Sequence, residues 1–327
     1  MQQTDGPYFD DLAVGDVFDW APAVTLTEGF AAAHHAVLGG QFRLMLDREL
    51  SMRVAGRPLA TPSLVWDVAI GQSTLVTQRA IANLFYRGLR FLRAPAIGDT
   101  LSAHTEIVGL RPAEPKADRP PRGLVVMRIR TRDQHDRPVL DFFRCALLPA
   151  RAPVAGQAVG LLEPGGSAVD GEEFAIAAEK WDLAAFRSAS KGGHFASLKA
   201  GESQAMPGDL VSSAPELARL TLNLAAIHHD AKAAADGTRL VYGGHTIGIA
   251  AAQATRAFPG LVTILGWHGC DHLGPVRQGD TLRALLEIER LEALPAGGLA
   301  HIRAVVSADR PASAAKVLDW RFVALFP

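Results

Sequence analysis

Twice along the chain, the pattern of apolar and polar positions passes from helix-like to strand-like in the same order. In the first half a short helical stretch (Thr27–Leu38) leads through a loop to a longer one near Ser63–Gln78. Four segments with strand character follow, at 80–93, 98–110, 122–133 and 138–148. In the second half Ala214–His229 and His245–Phe258 are the helical stretches, and 261–272, 279–293, 299–309 and 314–326 are strand-like. The longer helices are rich in Ala, Leu, Ile and Val with few charges, as in a helix buried nearly all round. Val125-Val126-Met127-Arg128-Ile129-Arg130 alternates in its second half, as a half-buried antiparallel strand does. One buried helix followed by an antiparallel meander predicts a sheet wrapped around that helix. This is an α+β layer architecture with one sheet face covered and one exposed.

The two halves are also alike in detail. Leu59-Ala60-Thr61 with Gln72 matches Leu240-Val241-Tyr242 with Gln253, and Gly98-Asp99-Thr100-Leu101 matches Gly279-Asp280-Thr281-Leu282, both at an offset of 181. Near the ends, Val139-Leu140-Asp141-Phe142 and Ala146-Leu147-Leu148-Pro149 match Val317-Leu318-Asp319-Trp320 and Ala324-Leu325-Phe326-Pro327 at 178. Near the starts, Tyr8-Phe9 with Leu12 and Gly15 answers His194-Phe195 with Leu198 and Gly201. Collinear blocks of this kind mark a duplicated domain. Two copies can pair their sheets edge to edge, which hides strands that one copy would leave open. The expected division is an N-terminal domain over 1–150, a Pro/Gly/Ala-rich linker over 151–178 and a C-terminal domain over 179–327.

Composition narrows the function. Thirty-three basic against thirty-four acidic residues give a net charge of −1, which excludes a nucleic-acid binder that works through bulk electrostatics. Only six of the basic residues are Lys, so an anionic ligand would be met locally and by Arg. Cys145 and Cys270, the two cysteines, are too few for a disulfide framework or a Cys-type zinc site. The polar, acidic stretch Met1–Asp11 reads as neither a signal nor a transit peptide, so none is expected. No apolar run approaches the roughly eighteen residues of a membrane span. A cytoplasmic location without membrane or nucleic-acid partners is expected.

The copies differ most around two segments of the second half, Asn223-Leu224-Ala225-Ala226-Ile227-His228-His229-Asp230 and Leu240-Val241-Tyr242-Gly243-Gly244-His245. Aligned through the preceding helix, the first copy has Gly39-Gly40-Gln41 opposite Ile227-His228-His229, and Pro62-Ser63 in place of the Gly-Gly pair. The first copy is thus the degenerate one. Asn223 and His228 lie five residues apart and converge only if the helix bends or ends between them. A neutral His is a good general base near neutrality, and an Asn can hold a water without taking its proton. Gly243 and Gly244 permit close backbone approach, and at the start of a helix their N–H groups are free to bind a carbonyl oxygen that gains negative charge. Base, water holder and oxyanion donors together describe water addition beside a carbonyl. A helix cap and a plain turn are the structural alternatives for the same residues.

This order of helix, His-bearing segment, Gly-bearing loop, long helix and sheet resembles the MaoC-like hydratases and dehydratases, a hotdog-fold family acting on acyl-CoA thioesters. The duplication resembles their double-hotdog form. Ala80-Ile81-Ala82-Asn83-Leu84, Arg90-Phe91, Gly98-Asp99-Thr100-Leu101 and Leu240-Val241-Tyr242-Gly243-Gly244-His245 are most similar to the mesaconyl-CoA hydratases (β-methylmalyl-CoA dehydratases) within it. The resemblance implies that His228 is the base and that Gly243 binds the thioester carbonyl. Tyr242, Gly244 and Arg90 are expected to bind substrate. The family's motif has Asp five residues before the His and an Asn-Pro pair between them, whereas here Asn223 and Leu224-Ala225-Ala226-Ile227 stand there. The base is then His228 alone or a carboxylate from elsewhere, such as Asp230 or Asp271.

The expected activity is reversible hydration of a trans-2-enoyl-CoA or a methyl-branched dicarboxylic enoyl-CoA. The alternatives are thioester hydrolysis and non-catalytic binding of an acyl thioester, carried by CoA or by an acyl-carrier protein. No metal or redox cofactor is expected, CoA entering as part of the substrate. Both a homodimer and a monomer remain open.

Three further constellations stand out. His268, Cys270 and His272 alternate and so are expected to share one strand face, with a structural or substrate-lining role rather than a metal. Arg87 and Arg93 are expected on one face of their strand and Arg90 on the other, either face being a candidate for CoA phosphates against the default of solvated Arg. The Gly-Asp-Thr-Leu repeats read as turns entering a strand.

Overall fold

The fold is given by a computed structural model that describes residues 5–114, 119–163, 171–234, 237–310 and 314–327. Four helices and eight long strands carry the argument. They are α1 (Glu28–Leu38), α2 (Pro62–Gln72), β1 (Ala82–Phe91), β2 (Thr100–Pro112), β3 (Arg122–Arg132) and β4 (Pro138–Pro149), then α3 (Ala214–Leu220), α4 (Gly243–Ala257), β5 (Thr263–His272), β6 (Thr281–Ala293), β7 (Gly298–Ala308) and β8 (Ala315–Phe326). The long strands form one antiparallel sheet in the order β2-β3-β4-β1-β5-β8-β7-β6, with short strands added at both ends. The copies meet at its centre, where β1 and β5 pair with Tyr86 opposite Cys270 and Leu89 opposite Trp267. This is a double hotdog, with α2 and α4 as the two central helices.

Equivalent residues do equivalent work. Gln72 at the end of α2 donates its amide N–H groups to the carbonyls of Pro22 and Leu101, and Gln253 near the end of α4 donates to those of Pro207 and Leu282. A buried side-chain amide that ties helix to sheet is costly to leave unpaired, so both copies keep it. The two Gly-Asp-Thr-Leu segments are turns. Gly98 and Gly279 have φ of +99° and +93°, and the Asp99 and Asp280 carboxylates accept from the amides of Ala96 and Arg277.

Local chemistry sets the helix limits. Thr27 caps α1 by accepting from the amide of Phe30, and Gly39 ends it in the left-handed region. Pro62 occupies the first turn of α2, all of whose residues are buried. The single helix expected over Ala214–His229 is instead broken. α3 stops at Leu220, the amide of Asn223 bonds back to the carbonyl of Ala218, and Leu222 takes φ +58°. A left-handed conformation costs a branched residue about 1–2 kcal/mol, and here it turns the chain so that Asn223 begins a separate segment.

The core lies between the sheet and the two central helices. At its middle, Trp66 of α2, Trp267 of β5 and Trp320 of β8 meet edge to face with centroids 5.0, 6.2 and 5.6 Å apart. The other sheet face, expected to be exposed, is partly covered. Gly171–Ala175 and Leu183–Ala189 are helical, and Phe174 and Phe186 are fully buried there with Leu265, Val323 and Leu325. Outward-facing apolar residues on the central strands require that cover. The end of the stretch expected as a linker, 171–178, is therefore packed structure, while 164–170 lie outside the described residues. Cys145 and Cys270 are buried free thiols. Among the described residues no helix is long and apolar enough to cross a membrane.

One glycine couples the copies. A Cβ at Gly71 of α2 would stand 1.6 Å from the carbonyl oxygen of Thr221, in the segment that delivers Asn223. The substitution Gly71→Ala is expected to destabilise the protein by about 1–3 kcal/mol or more through this overpacking. Thermal unfolding followed by circular dichroism measures it, and an unchanged midpoint would refute the contact.

Candidate active site

A cleft of about 370 Å³ opens where the copies meet. The second copy lines it with Asn223, Ala225, Ile227 and His228, then with Leu240 to Gly243, and with His272 at the end of β5. The first copy lines it with Ala80 to Leu84 and Tyr86 of the β1 region and with Arg144 of β4. Of the predicted site residues, Asn223, His228, Tyr242 and Gly243 come together here.

His228 sits in a single turn of 3₁₀ helix, Ala226–His228. Its Nδ1 lies 2.9 Å from the Leu240 carbonyl oxygen. A carbonyl can only accept, so Nδ1 carries the proton and Nε2 is left with a lone pair. Burial pushes its pKa down to about 4, the neighbouring charges of His229 and Arg144 adding to the effect. The imidazole is therefore neutral near pH 7. Asn223 is buried and accepts from the amide of Ala225 through Oδ1, while no hydrogen bond among the described residues takes its NH₂ group. His229 donates from Nε2 to the Asn223 carbonyl at 2.6 Å and so fixes the turn rather than the cleft.

Tyr242 precedes α4 and donates its hydroxyl to Asp67 Oδ1 at 2.6 Å. Asp67, fully buried on α2, also accepts from His34 Nε2 at 2.9 Å. This network from the first copy holds the start of α4 in place. A Cβ at Gly244 would come within 2.2 Å of both Tyr242 Oη and Asp67 Oδ1, so Gly244 makes room for the network rather than for substrate. Gly243 faces the cleft, and a Cβ on it would meet the His272 ring at 2.7 Å. No hydrogen bond among the described residues uses the Gly243 amide, the free donor expected at a helix start.

The remaining expectations change in their placement. Arg90 lies on the outer sheet face in ion pairs with Glu173 and Asp141, away from the cleft. Strand alternation fails there because Gly88, at φ +60°, bulges β1. Arg87 and Arg90 consequently face the same way, and Arg87 pairs with Asp271 at 2.6 Å. A second bulge between Trp267 and Gly269 of β5 separates the three alternating residues. His268 goes outward to His301 and Phe174, while Cys270 stays in the core and His272 packs on Tyr86. Among the described residues no group of three or more His, Cys, Asp or Glu side chains is placed to hold a metal. The alternative bases are also elsewhere: Asp271 is paired with Arg87, and Asp230 is exposed and caps the amide of Lys232.

Sequence reasoning missed Arg144 and the buried pairing of His34 with Asp67, and had Asn83 only within a family-like segment, without a role. Arg144 left a signal, since it holds the inward phase of β4 between Phe142 and Ala146, both core residues. The repeat relates Tyr86 to Trp267, Phe91 to His272 and Arg144 to Phe322. The corresponding position in the first copy is thus filled by aromatic rings, Trp320 and Phe322 stacking at 4.2 Å.

No family model matches the chain. A mesaconyl-CoA hydratase of Cereibacter sphaeroides is 27% identical over 304 residues, which cover 88% of this chain and 84% of that protein. A β-methylmalyl-CoA dehydratase of Chloroflexus aurantiacus is 26% identical over 98% of this chain and 97% of its own length. Among solved structures, a conserved hypothetical protein of Mycobacterium tuberculosis described as having a double hotdog fold is 52% identical over 99% of both chains, with a TM-score of 0.93. A MaoC domain protein of Chloroflexus aurantiacus is 25% identical over 100% of this chain and 99% of its own, with a TM-score of 0.86. Fold, repeat and relatives agree, and the chain belongs to the MaoC-like hydratase and dehydratase family in its double-hotdog form.

Proposed function

We propose that this protein adds water reversibly to the double bond of an enoyl-CoA thioester. The observation that carries the reading is the tautomer of His228. Its Nδ1–H is spent on the Leu240 carbonyl, which leaves Nε2 as a proton acceptor in a cleft shared with Asn223 and Gly243. The names of the curated relatives, a hydratase and a dehydratase of CoA thioesters, support it.

In this mechanism the Asn223 amide holds a water and His228 Nε2 takes its proton as the oxygen bonds to the β-carbon. The electron pair of the double bond moves toward the thioester oxygen, where the Gly243 N–H stabilises the developing charge. His228 then returns the proton to the α-carbon. One water is added, no redox change occurs, and the thioester bond stays intact. A CoA thioester and the same acyl group on an acyl-carrier protein present identical reacting atoms, and the assays below use CoA.

His228→Ala is expected to lower kcat for hydration of crotonyl-CoA by about 10²–10⁴-fold, the usual worth of a positioned base. Loss of enoyl absorbance measures it. Release of free thiol to a thiol-reactive dye at the same rate would instead mean hydrolysis. Asn223 in place of the motif's Asp favours a second reading, a module that binds acyl thioesters without turnover. Under the hydratase reading Asn223→Ala lowers kcat by about 10²-fold, the cost of misplacing a reactant. Binding of butyryl-CoA with no turnover in wild type or Asn223→Asp would establish the binding module. The base must be neutral to work, and its pKa lies near 4. Accordingly kcat/KM in the hydration direction should stay level from about pH 8 to pH 5 and fall as pH drops through about 4. An acid limb near pH 6.5 would assign the base elsewhere.

A further inference from the structure

One polar group that lines the cleft takes no part in the hydration described above. His272, the last residue of β5, packs edge to face on Tyr86, with ring centroids 5.7 Å apart and planes at 69°. Its Nε2 is buried, and no hydrogen bond among the described residues takes it. A polar atom left in that state is costly unless a partner arrives. The same nitrogen lies 2.8 Å from the point that a Cβ on Gly243 would occupy. Standard bond lengths then put it within about 6 Å of the Gly243 amide nitrogen. The repeat places Phe91 at the corresponding position of the first copy, so a ring packs there with no nitrogen at all. The imidazole stands in the copy that carries His228 and Gly243.

We infer that His272 donates from Nε2 to the thioester oxygen and is, with the Gly243 N–H, the second donor of a two-donor oxyanion site. This rests on the hydratase reading, which puts the thioester carbonyl at Gly243. Two hydrogen bonds of ordinary length span up to about 6 Å, so one oxygen reaches both nitrogens. A carbonyl oxygen only accepts, and the tautomer that serves it carries the proton on Nε2. Burial, helped by the charge of Arg144, pushes the His272 pKa down to about 4, so the ring is neutral near pH 7. A neutral imidazole N–H polarises a carbonyl while keeping its own proton. The oxygen gains charge as water adds to the β-carbon, so the bond strengthens on the way to the transition state and lowers the barrier. No proton leaves His272, and His228 remains the base.

Two amide variants separate this role from packing. The amide nitrogen of Gln reaches the position of an imidazole Nε2, whereas that of Asn reaches only the position of Nδ1. His272→Asn is expected to lower kcat for hydration of crotonyl-CoA by about 10²–10³-fold, the usual loss of one oxyanion donor. His272→Gln is expected to lose less than about 10-fold, because its N–H still meets the oxygen. Polarisation is read without turnover, from the infrared carbonyl band of bound butyryl-CoA labelled at the thioester carbon. The band is expected at lower frequency in wild type and His272→Gln than in His272→Asn. A His272→Asn as fast as wild type would overturn the second donor, as would a His272→Gln as slow as His272→Asn. A carbonyl band that stays in place between wild type and His272→Asn would do the same. If His272→Asn does not fold, His272→Ala takes its place with the same expectations. A band moved by His272→Asn in a protein that hydrates no enoyl thioester would sink the hydratase reading and leave the donor standing.

Discussion

The antiparallel pairing of β1 with β5 is the contact on which the rest depends. Neither strand could remain an open edge at the middle of so large an apolar layer, and their union makes two half-sheets into one. The same union gives the cleft its two walls. Asn83 and Tyr86 come from β1, Arg144 from β4 beside it, and His272 from the end of β5, while the turn with His228 and the start of α4 close the remaining side. A single copy would hold half of these groups.

The two copies build the cleft together, and the position that the repeat relates to it is filled. The repeat would place an equivalent cleft in the first copy, but Trp267, Trp320, Phe322 and Phe91 occupy that region and extend the aromatic core around Trp66. Large rings stabilise the junction through buried apolar area. The first copy was left with positioning tasks in the second copy's cleft. Asp67 and His34 hold Tyr242 at the head of α4, and Gly71 lets the turn before Asn223 sit against α2. It also supplies Arg144, the one fixed charge among the described residues that line the cleft.

The physical character of the cleft follows from burial more than from charge count. His228 and His272 are both held neutral, with pKa values near 4, by the loss of water around them and by the positive charge of Arg144. Tyr242 is kept protonated by burial and by Asp67. Among the described residues that line it, the cleft therefore combines neutral acceptors, amide donors and one cation, a set consistent with the proposed hydration of a thioester.

The sequence by itself determined the repeat, the order of helices and strands, and the pairing of Asn223 and His228 with Gly243. These depend on local pattern and on matched spacing, which survive in one dimension. Tertiary structure decided which side each residue faces. The bulges at Gly88 and after Trp267 reverse the alternation of β1 and β5, so Arg90 and His268 leave the side that simple periodicity assigns them. Tertiary structure also decided that a helical pattern at Ala214–His229 would break at Leu222, because the chain must turn there to pass Gly71 of the other copy. The inward phase of Arg144 on β4 is legible in the sequence, but its neutral partners Asn83 and Ser73 are not. That no carboxylate among the described residues pairs with it is a property of what the fold places around it.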